Sequence, residues 1–307
     1  MSTQDSPPAP ARKPEILAPA GDAPSFLAAL AAGADAVYLG LKHFSARMQA
    51  ENFGLAELSR LTDLAHAENA RVYVAMNTLI KPGESAAAYR LAARLARQVR
   101  PDGLIIQDLA MLDLARQAGF EGGLFLSTLA NLTHPEALLQ ARALGADRAI
   151  LPRELSIDEI RRMGEACPDG LDLECFIHGA LCYCVSGRCY WSSYMGGKSG
   201  LRGRCVQPCR RVYRQGGAAA LALFRNAENE EREAARRDGK KTRERRNAPS
   251  GRENRPFEID GGPRRAPRPP RGKEHSGRFF SCLDLSLDVL AKTLLDIPHL
   301  VSWKIEG

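Results

Sequence analysis

The sequence predicts an α/β protein built as a TIM-barrel-like (β/α)₈ barrel, and three observations lead to this fold class. Short apolar runs alternate with helical patterns rich in Ala, Leu and Arg, as in proteins with parallel sheets. Eight such units favour a closed barrel over an open doubly wound sheet. The turn after the first run, residues 18–21, lacks a Gly-x-Gly-x-x-Gly pattern, which counts against a dinucleotide-binding domain.

The predicted strands and helices follow one another in strict order. The strands lie at 16–18, 36–41, 71–76, 103–107, 123–127, 148–152, 173–178 and 301–305. The helices lie near 22–33, 55–69, 84–99, 109–118, 134–144, 156–166 and 285–295. Two Gly-Ala-Asp segments, at 33–35 and 145–147, each precede a strand, and there the glycine ends a helix and the aspartate starts a turn. The chain stops just after its eighth strand, so we expect a truncated barrel whose last helix is missing.

Composition divides the chain into four parts. Residues 1–13 are polar and proline-rich and are predicted to be a disordered tail. Residues 14–214 hold strands one to seven and a cysteine-rich loop. Residues 215–278 are rich in Arg, Glu, Pro and Gly and predict a disordered basic insertion, because they have too few apolar residues to offset chain entropy. Residues 279–307 return to the barrel pattern.

The net charge of +7 lies in one segment. Residues 225–278 hold 17 Lys and Arg against 10 Asp and Glu, a difference that equals the net charge of the whole chain. The rest of the chain is therefore electrically balanced. The composition favours a species-specific disordered insertion, and a basic tether for RNA is the alternative. As a tether, the segment would raise the encounter rate with RNA, and binding through it would depend strongly on salt.

The apolar content and the cysteine count bear on the cellular compartment of the protein. The 44% of hydrophobic residues is enough for a large core, and neither a signal-peptide pattern nor a long uncharged apolar stretch is present. We therefore expect no membrane span. Eight cysteines without an export signal predict the reducing cytoplasm, where such thiols more often bind metals or catalyse than form disulfides.

Six of the eight cysteines lie between Glu174 and Arg211, after a predicted buried strand that ends at His178. Six residues separate Cys182 from Cys189, and fifteen separate Cys189 from Cys205. This stretch has no lasting period, and a long irregular loop is usually functional.

Three kinds of site compete for this loop. An iron–sulfur cluster takes four thiolates. A structural zinc usually takes close cysteine pairs, and only the spacing of Cys205 and Cys209 fits that pattern. A base and nucleophile, His178 and Cys182, form the third possibility, although no third orienting group is evident. The spacing favours a cluster over zinc, and both over a thiol protease. Buried free thiols explain Cys167 and Cys175 better than they explain the loop cysteines.

Polar residues end nearly every predicted strand, and in parallel barrels the working groups gather at the carboxyl ends of strands. Together they predict a binding pocket beneath the cysteine-rich loop. Taken singly, each also has a structural explanation, such as a helix cap or a surface ion pair. The strand-end residues are Gly40, Asn77, Gln107, Asp108, Ser127, Thr128, Arg153, Glu154, His178, Lys304 and Glu306.

Several motifs resemble the signature of peptidase family U32, the collagenase-like peptidases. The main pieces are His-Gly-Ala-Leu-Cys at 178–182, Ser-Gly-Arg-Cys at 186–189 and Arg-Gly-Arg-Cys-Val-Gln-Pro-Cys-Arg at 202–210. Further pieces lie at 17–21, 33–40, 151–156 and 304–307. The resemblance covers roughly residues 14–214 and 279–307 and omits the basic insertion.

The family takes its name from a reported protease activity, whereas its better understood members resemble oxygen-independent hydroxylases. Those members modify a base in tRNA or ribosomal RNA, or the ring of a quinone precursor. They carry a 4Fe-4S cluster on four cysteines, and some RNA-modifying members depend on prephenate. The resemblance therefore implies Cys182, Cys189 and Cys205 as cluster ligands. Ser286 stands where the fourth family cysteine is common, so Cys282 or Cys209 is expected as the fourth ligand.

These observations predict a cytoplasmic iron–sulfur hydroxylase that modifies a base in tRNA or 23S rRNA. A collagenase-like peptidase and a quinone-precursor hydroxylase are the alternatives, and zinc is the alternative metal. The sequence does not identify an electron donor, and the resemblance implies prephenate as a candidate co-substrate. We assign proton handling or substrate contacts to His178, Asp108 and Glu306. The residues expected to bind substrate are Asn77, Gln107, Thr128, Arg153, Glu154 and Lys304.

Overall fold

Eight parallel strands close into a barrel in chain order in the computed structural model, which describes residues 13–48, 50–179, 184–210, 294–295 and 297–305. Strand β8 pairs with β7 on one side and with β1 on the other, where Glu15 is opposite Ser302. The predicted (β/α)₈ fold class is confirmed. The strands are β1 (Glu15–Ala20), β2 (Ala36–Gly40), β3 (Arg71–Met76), β4 (Gly103–Ile106), β5 (Gly123–Leu126), β6 (Arg148–Ile150), β7 (Asp172–His178) and β8 (Leu300–Ile305).

Six helices connect strands β1 to β7, close to the predicted bounds. Ser156 begins α6 with a capping box, in which its hydroxyl accepts from the Glu159 N–H and the Glu159 carboxylate accepts from the Ser156 N–H. A turn of π-helix, Leu95–Val99, extends α3. The helices are α1 (Ala23–Ala31), α2 (Leu55–Ala67), α3 (Ser85–Arg94), α4 (Ala110–Gln117), α5 (Pro135–Ala143) and α6 (Ile157–Glu165), and a short α7 (Trp191–Gly196) lies in the cysteine-rich loop.

In both Gly-Ala-Asp segments the glycine ends a helix, as predicted, and the aspartate also binds the backbone of a neighbouring strand. Gly33 and Gly145 have φ values of 79° and 90° just after α1 and α5, where glycine is favoured. The Asp35 carboxylate accepts from the Ile16 N–H at 2.8 Å, and the Asp147 carboxylate accepts from the Leu124 N–H at 2.9 Å. Each aspartate therefore ties the start of one strand to the start of its neighbour.

Apolar side chains form two layers, one outside the strands and one inside the barrel. The outer layer packs the strands against the helices and includes Phe26, Leu58 and Leu104. The inner layer lies within the barrel, where the rings of Tyr73 and Phe125 meet edge to face at a centroid distance of 4.9 Å. Its members are Leu17, Ala36, Tyr73, Ala75, Ile105, Phe125 and Ile150.

Charged side chains also lie inside the barrel, a feature that the strand pattern did not predict. Arg148 Nη1 is 2.9 Å from Glu15 Oε2 and 3.0 Å from Glu174 Oε2. The Tyr73 hydroxyl donates to Glu15 at 2.6 Å, and burial raises the pKa of Tyr73, so this hydroxyl keeps its proton. Buried charges require partners, and these residues provide them for one another.

The described residues belong to one unit, which comprises Met1–Arg211 and Ser281–Gly307; a second unit comprises Val212–Phe280. Residues 1–12 and 211–293 lie outside the described part. The predicted tail, the basic insertion at 215–278 and most of the helix at 285–295 fall there and remain predictions. Among the described helices, none is long and apolar enough to cross a membrane.

Candidate active site

A cavity of about 720 Å³ opens at the carboxyl ends of the strands, beneath the cysteine-rich loop. This is the end of the barrel where the sequence placed the site. Four of the six predicted substrate-binding residues line the cavity, namely Asn77, Thr128, Arg153 and Lys304. They reach it from the ends of β3, β5, β6 and β8.

The other two predicted substrate-binding residues lie outside the lining. Gln107 is buried, and its Nε2 is 3.5 Å from the Leu129 carbonyl oxygen. The Glu154 carboxylate accepts two hydrogen bonds from Ser186, one from its N–H and one of 3.1 Å from its hydroxyl. Glu154 therefore holds the cysteine-rich loop over the end of β6.

Of the three predicted catalytic residues, the two that the structure describes, His178 and Asp108, lie outside the cavity lining. His178 ends β7 with an exposed side chain outside the lining. Both carboxylate oxygens of Asp108 accept backbone N–H groups, from Ile80 at 2.8 Å and from Ala110 at 3.1 Å. Asp108 therefore binds the first N–H group of α4 and the loop that follows β3, which is a structural role. Glu306 lies outside the described residues.

Four cysteines of the loop line the same cavity: Cys184, Cys189, Cys205 and Cys209. All four are partly exposed, and the Gln207 N–H lies 3.4 Å from Cys205 Sγ, where it donates to the sulfur. Cys182 and Cys282 lie outside the described residues, and within the described ranges no three His, Cys, Asp or Glu side chains form a group that could hold a metal. The four-thiolate site therefore remains a prediction.

Two glycines of the cysteine-rich motifs are required by close contacts with the barrel loops. A Cβ on Gly187 would lie 2.1 Å from the Leu129 carbonyl oxygen, and a Cβ on Gly203 would lie 2.2 Å from the Ser45 carbonyl oxygen. Both glycines also have positive φ, 71° and 72°. The loop therefore packs backbone against backbone on both sides of the mouth.

Arg202 forms a third anchor. Its guanidinium donates to both carboxylate oxygens of Glu84, one at 2.7 Å, and to the Leu79 carbonyl oxygen. The hydrogen bond from Arg202 lowers the pKa of Glu84 to about 2. The Leu79 N–H in turn donates to Leu201 at 3.1 Å, so the β3 loop and the cysteine-rich loop form a joined unit.

Cations stacked on aromatic rings form part of the cavity wall. The Arg153 guanidinium lies 4.0 Å from the centre of the Phe176 ring, and Lys304 Nζ lies 4.0 Å from the centre of the Tyr38 ring. Lys304 is 3% exposed, and burial lowers its pKa although the Glu174 carboxylate opposes this shift. The two rings were missed, although Tyr38 and Phe176 occupy inward positions in the period-two pattern of their strands. Such a wall suits a planar or anionic ligand.

Protein-family comparison matches residues 21–307 to the model described as Peptidase family U32. The chain belongs to peptidase family U32. This confirms the family expected from the cysteine motifs. A solved structure of another U32 peptidase superposes with a TM-score of 0.48 at 14% identity, covering 59% of this chain and 76% of that one.

Curated relatives of this U32 protein carry names of two kinds. A tRNA hydroxylation protein P from Haemophilus influenzae is 36% identical over 66% of this chain and 44% of its own length. A 23S rRNA 5-hydroxycytidine synthase from Escherichia coli is 38% identical over 65% of this chain and 29% of its own length. A collagenase from Porphyromonas gingivalis is 35% identical over 65% of this chain and 50% of its own length. The chain thus spans half the length of these relatives or less.

Proposed function

We propose that this U32 protein is an iron–sulfur-dependent, oxygen-independent hydroxylase that modifies a base in tRNA or 23S rRNA in the cytoplasm. The observation that carries the proposal is the joint lining of one cavity by thiols and by cations on aromatic rings. The names of two relatives support an RNA substrate. Thiols on one part of the wall and aromatic rings with stacked cations on another fit redox chemistry on a nucleobase.

The cluster ligands in this proposal are Cys182, Cys189 and Cys205, with Cys209 or Cys282 as the fourth. Cys189, Cys205 and Cys209 line the cavity together, and Cys205 also receives a backbone N–H, a contact that tunes the potential of cluster sulfurs. When bound, a 4Fe-4S cluster would transfer electrons one at a time to or from an external partner. Zinc on the same thiolates would give no redox chemistry.

The cavity walls would hold the substrate base. A volume of about 720 Å³ lies within the usual range for small-ligand pockets, and enzymes that act on a base extrude it from the RNA stack into such a pocket. Phe176 and Tyr38 offer ring faces for stacking, while Asn77 and Thr128 offer amide and hydroxyl groups to base edges. Arg153 and Lys304 would attract an anionic group, such as a phosphate or the carboxylates of a prephenate co-substrate.

Anaerobic purification tests the cofactor. We expect a brown protein with bound iron and acid-labile sulfide, and loss of both in Cys189→Ser and Cys205→Ser. Cys167→Ser is the matched control, because Cys167 is buried outside the cavity and its thiol donates to the Leu171 carbonyl at 3.2 Å, which a serine can also do. A colourless wild-type protein that holds only zinc would contradict the cluster.

Mass spectrometry of RNA tests the reaction. A strain that lacks the gene should lose one hydroxylated base in tRNA or 23S rRNA. Wild-type protein should restore it, Cys167→Ser should restore it as well, and Cys205→Ser should not. An unchanged set of hydroxylated bases in the deletion strain would contradict RNA hydroxylation.

Proteolysis is the second candidate function, favoured by the collagenase relative. Its test is gelatin cleavage by the purified protein and loss of that cleavage in His178→Ala. Within the described residues, the exposed His178 ring makes no hydrogen bond to a thiol or hydroxyl, so the described structure contains no base–nucleophile pair at this position.

A further inference from the structure

Helix α7 exposes two tyrosine rings at the outer edge of the cysteine-rich loop. Tyr190 is 71% exposed and Tyr194 is 88% exposed, values that are high for aromatic side chains on a folded domain. The Tyr194 N–H donates to the Tyr190 carbonyl at 3.0 Å, so the two residues lie one helical turn apart and their side chains are neighbours. Neither ring lines the cavity.

The opposite side of α7 is fixed to the loop. Trp191 lines the cavity, and Ser192 is fully buried. The Ser192 hydroxyl donates to the Lys198 carbonyl at 2.7 Å and accepts from the Val206 N–H at 2.9 Å. Because both of these contacts hold the helix from its inner side, the tyrosines project from an anchored element next to the cavity mouth.

The chain segment that carries these rings has charged side chains of one sign. Residues 184–210 contain five Lys and Arg and no Asp or Glu. Arg202 is paired with Glu84, whereas Arg188, Lys198 and Arg204 are exposed and form no ion pair with the described residues. The Arg204 N–H donates to the carbonyl of Ser199, the residue after Lys198, at 3.0 Å. We call the set Arg188, Tyr190, Tyr194, Lys198 and Arg204 the α7 rim.

We propose that the α7 rim binds a single-stranded RNA segment that flanks the base held in the cavity. The three cations would contact phosphates, and Tyr190 and Tyr194 would stack unpaired bases, which is how proteins recognise single-stranded RNA. A chain segment whose charged side chains are all cations is complementary to the RNA backbone. The proposal rests on the RNA-directed function above, and it assigns the docking surface for that substrate.

Fluorescence anisotropy with a short labelled oligouridine tests the rim on the full-length protein. Tyr194→Ala should weaken binding about 5- to 150-fold, which corresponds to loss of one stacked base, and Tyr194→Phe should bind like the wild type because it keeps the ring. Tyr89→Ala is the matched control, since Tyr89 is an exposed tyrosine on α3 that neither lines the cavity nor belongs to the α7 rim. Tyr89→Ala should not change the affinity.

The salt dependence of the same binding separates the cations from the rings. Lys198→Ala and Arg204→Ala should each reduce the slope of log affinity against log salt by about 0.7, because each removes one phosphate contact with a single strand. Tyr194→Ala should leave the slope unchanged. Arg90→Ala, which removes an exposed arginine on α3, should leave both slope and affinity unchanged.

Two outcomes overturn the rim proposal: wild-type protein that does not bind the oligouridine, and a Tyr194→Ala variant that binds it as tightly as the wild type. The visible absorbance of Tyr194→Ala should equal that of the wild type, which excludes damage to the thiol site. RNA binding that follows the expected pattern in a protein that modifies no RNA base would uphold the rim and contradict only the hydroxylase function.

Discussion

Lys304 Nζ lies 3.0 Å from Glu174 Oε1, and both side chains are buried inside the barrel. Glu174 also binds Arg148, so this contact joins the internal ionic network to the cavity wall. Burial favours the neutral form of Glu174, but Lys304 and Arg148 outweigh it and lower the pKa of this carboxyl. The ammonium that faces the cavity is therefore held by groups that never reach solvent.

Removal of the Lys304 charge should destabilise the barrel. Lys304→Met leaves Glu174 with Arg148 as its remaining partner, and loss of one member of a buried ion pair lowers the free energy of unfolding by about 3–5 kcal/mol. Urea unfolding of the purified protein measures this. The double variant Lys304→Met with Glu174→Gln should recover part of the loss, because the unpaired buried carboxylate is gone.

An exposed lysine provides the control for that experiment. Lys198→Ala removes a charge that makes no ion pair with the described residues, so its effect should stay within about 0.5 kcal/mol. If Lys304→Met changes the free energy of unfolding no more than Lys198→Ala does, the Glu174 contact has no structural role.

The Glu84–Arg202 contact should titrate in acid. The folded pKa of Glu84 is about 2, against an ordinary value of 4.5, so its stabilising contribution is fully present above pH 4.5 and is lost as the pH falls toward 2. An NMR titration of the Glu84 side-chain carbon measures the midpoint. Arg202→Ala should return it toward 4.5, whereas Arg188→Ala, an exposed arginine of the same loop, should leave it near 2. A wild-type midpoint near 4.5 contradicts the ion pair.

The barrel was predictable from the sequence because apolar residues are spaced differently in strands and in helices, and the two kinds of segment alternate along the chain. The mouth residues Asn77, Thr128, Arg153 and Lys304 were predictable for a similar reason, since a position at the end of a parallel strand fixes a place in space. That argument gives the place of a residue but not its bonds.

Asp108 and Glu154 show where this reasoning stops. Each follows a strand, yet each carboxylate accepts hydrogen bonds from a neighbouring loop, from Ile80 and Ser186 respectively. Those partners depend on loop conformations, and loops have no repeating pattern of apolar residues from which a conformation could be predicted. The buried charges of Arg148 and Glu174 did leave a signal, because both occupy inward positions of β6 and β7 between apolar neighbours.

Substitution of Gly187 should release the cysteine-rich loop without unfolding the barrel. In Gly187→Ala the new Cβ meets the Leu129 carbonyl oxygen at 2.1 Å, so the loop must shift away from β5. We expect a large loss of bound iron and faster limited proteolysis within the loop. Gly197→Ala is the matched control: its φ is also positive, 62°, but nothing lies within 4 Å of the added Cβ.

The two glycine variants separate contact from backbone strain. A left-handed alanine alone destabilises by about 1–2 kcal/mol, so Gly197→Ala should retain most of its iron. Equal iron loss in both variants would mean that the Leu129 contact does not position the loop.

Thiol reactivity should divide the cysteines into two classes. Burial raises the pKa of Cys175 to about 12 and that of Cys167 to about 11, so neither forms much thiolate at neutral pH. Cys189 and Cys205 are partly exposed at the cavity. After treatment with an iron chelator, iodoacetamide followed by peptide mass spectrometry should therefore modify Cys189 and Cys205 well before Cys167 and Cys175.

The same measurement without chelator tests whether the cavity thiols hold the metal. In anaerobically purified protein, Cys189 and Cys205 should be protected, because coordinated thiolates are poor nucleophiles, and the chelator should remove that protection. The two buried cysteines should react equally slowly in both samples, since apolar packing rather than metal shields them. Rapid alkylation of Cys205 in protein that retains its iron would exclude Cys205 as a ligand and would move the proposed cluster to other thiols.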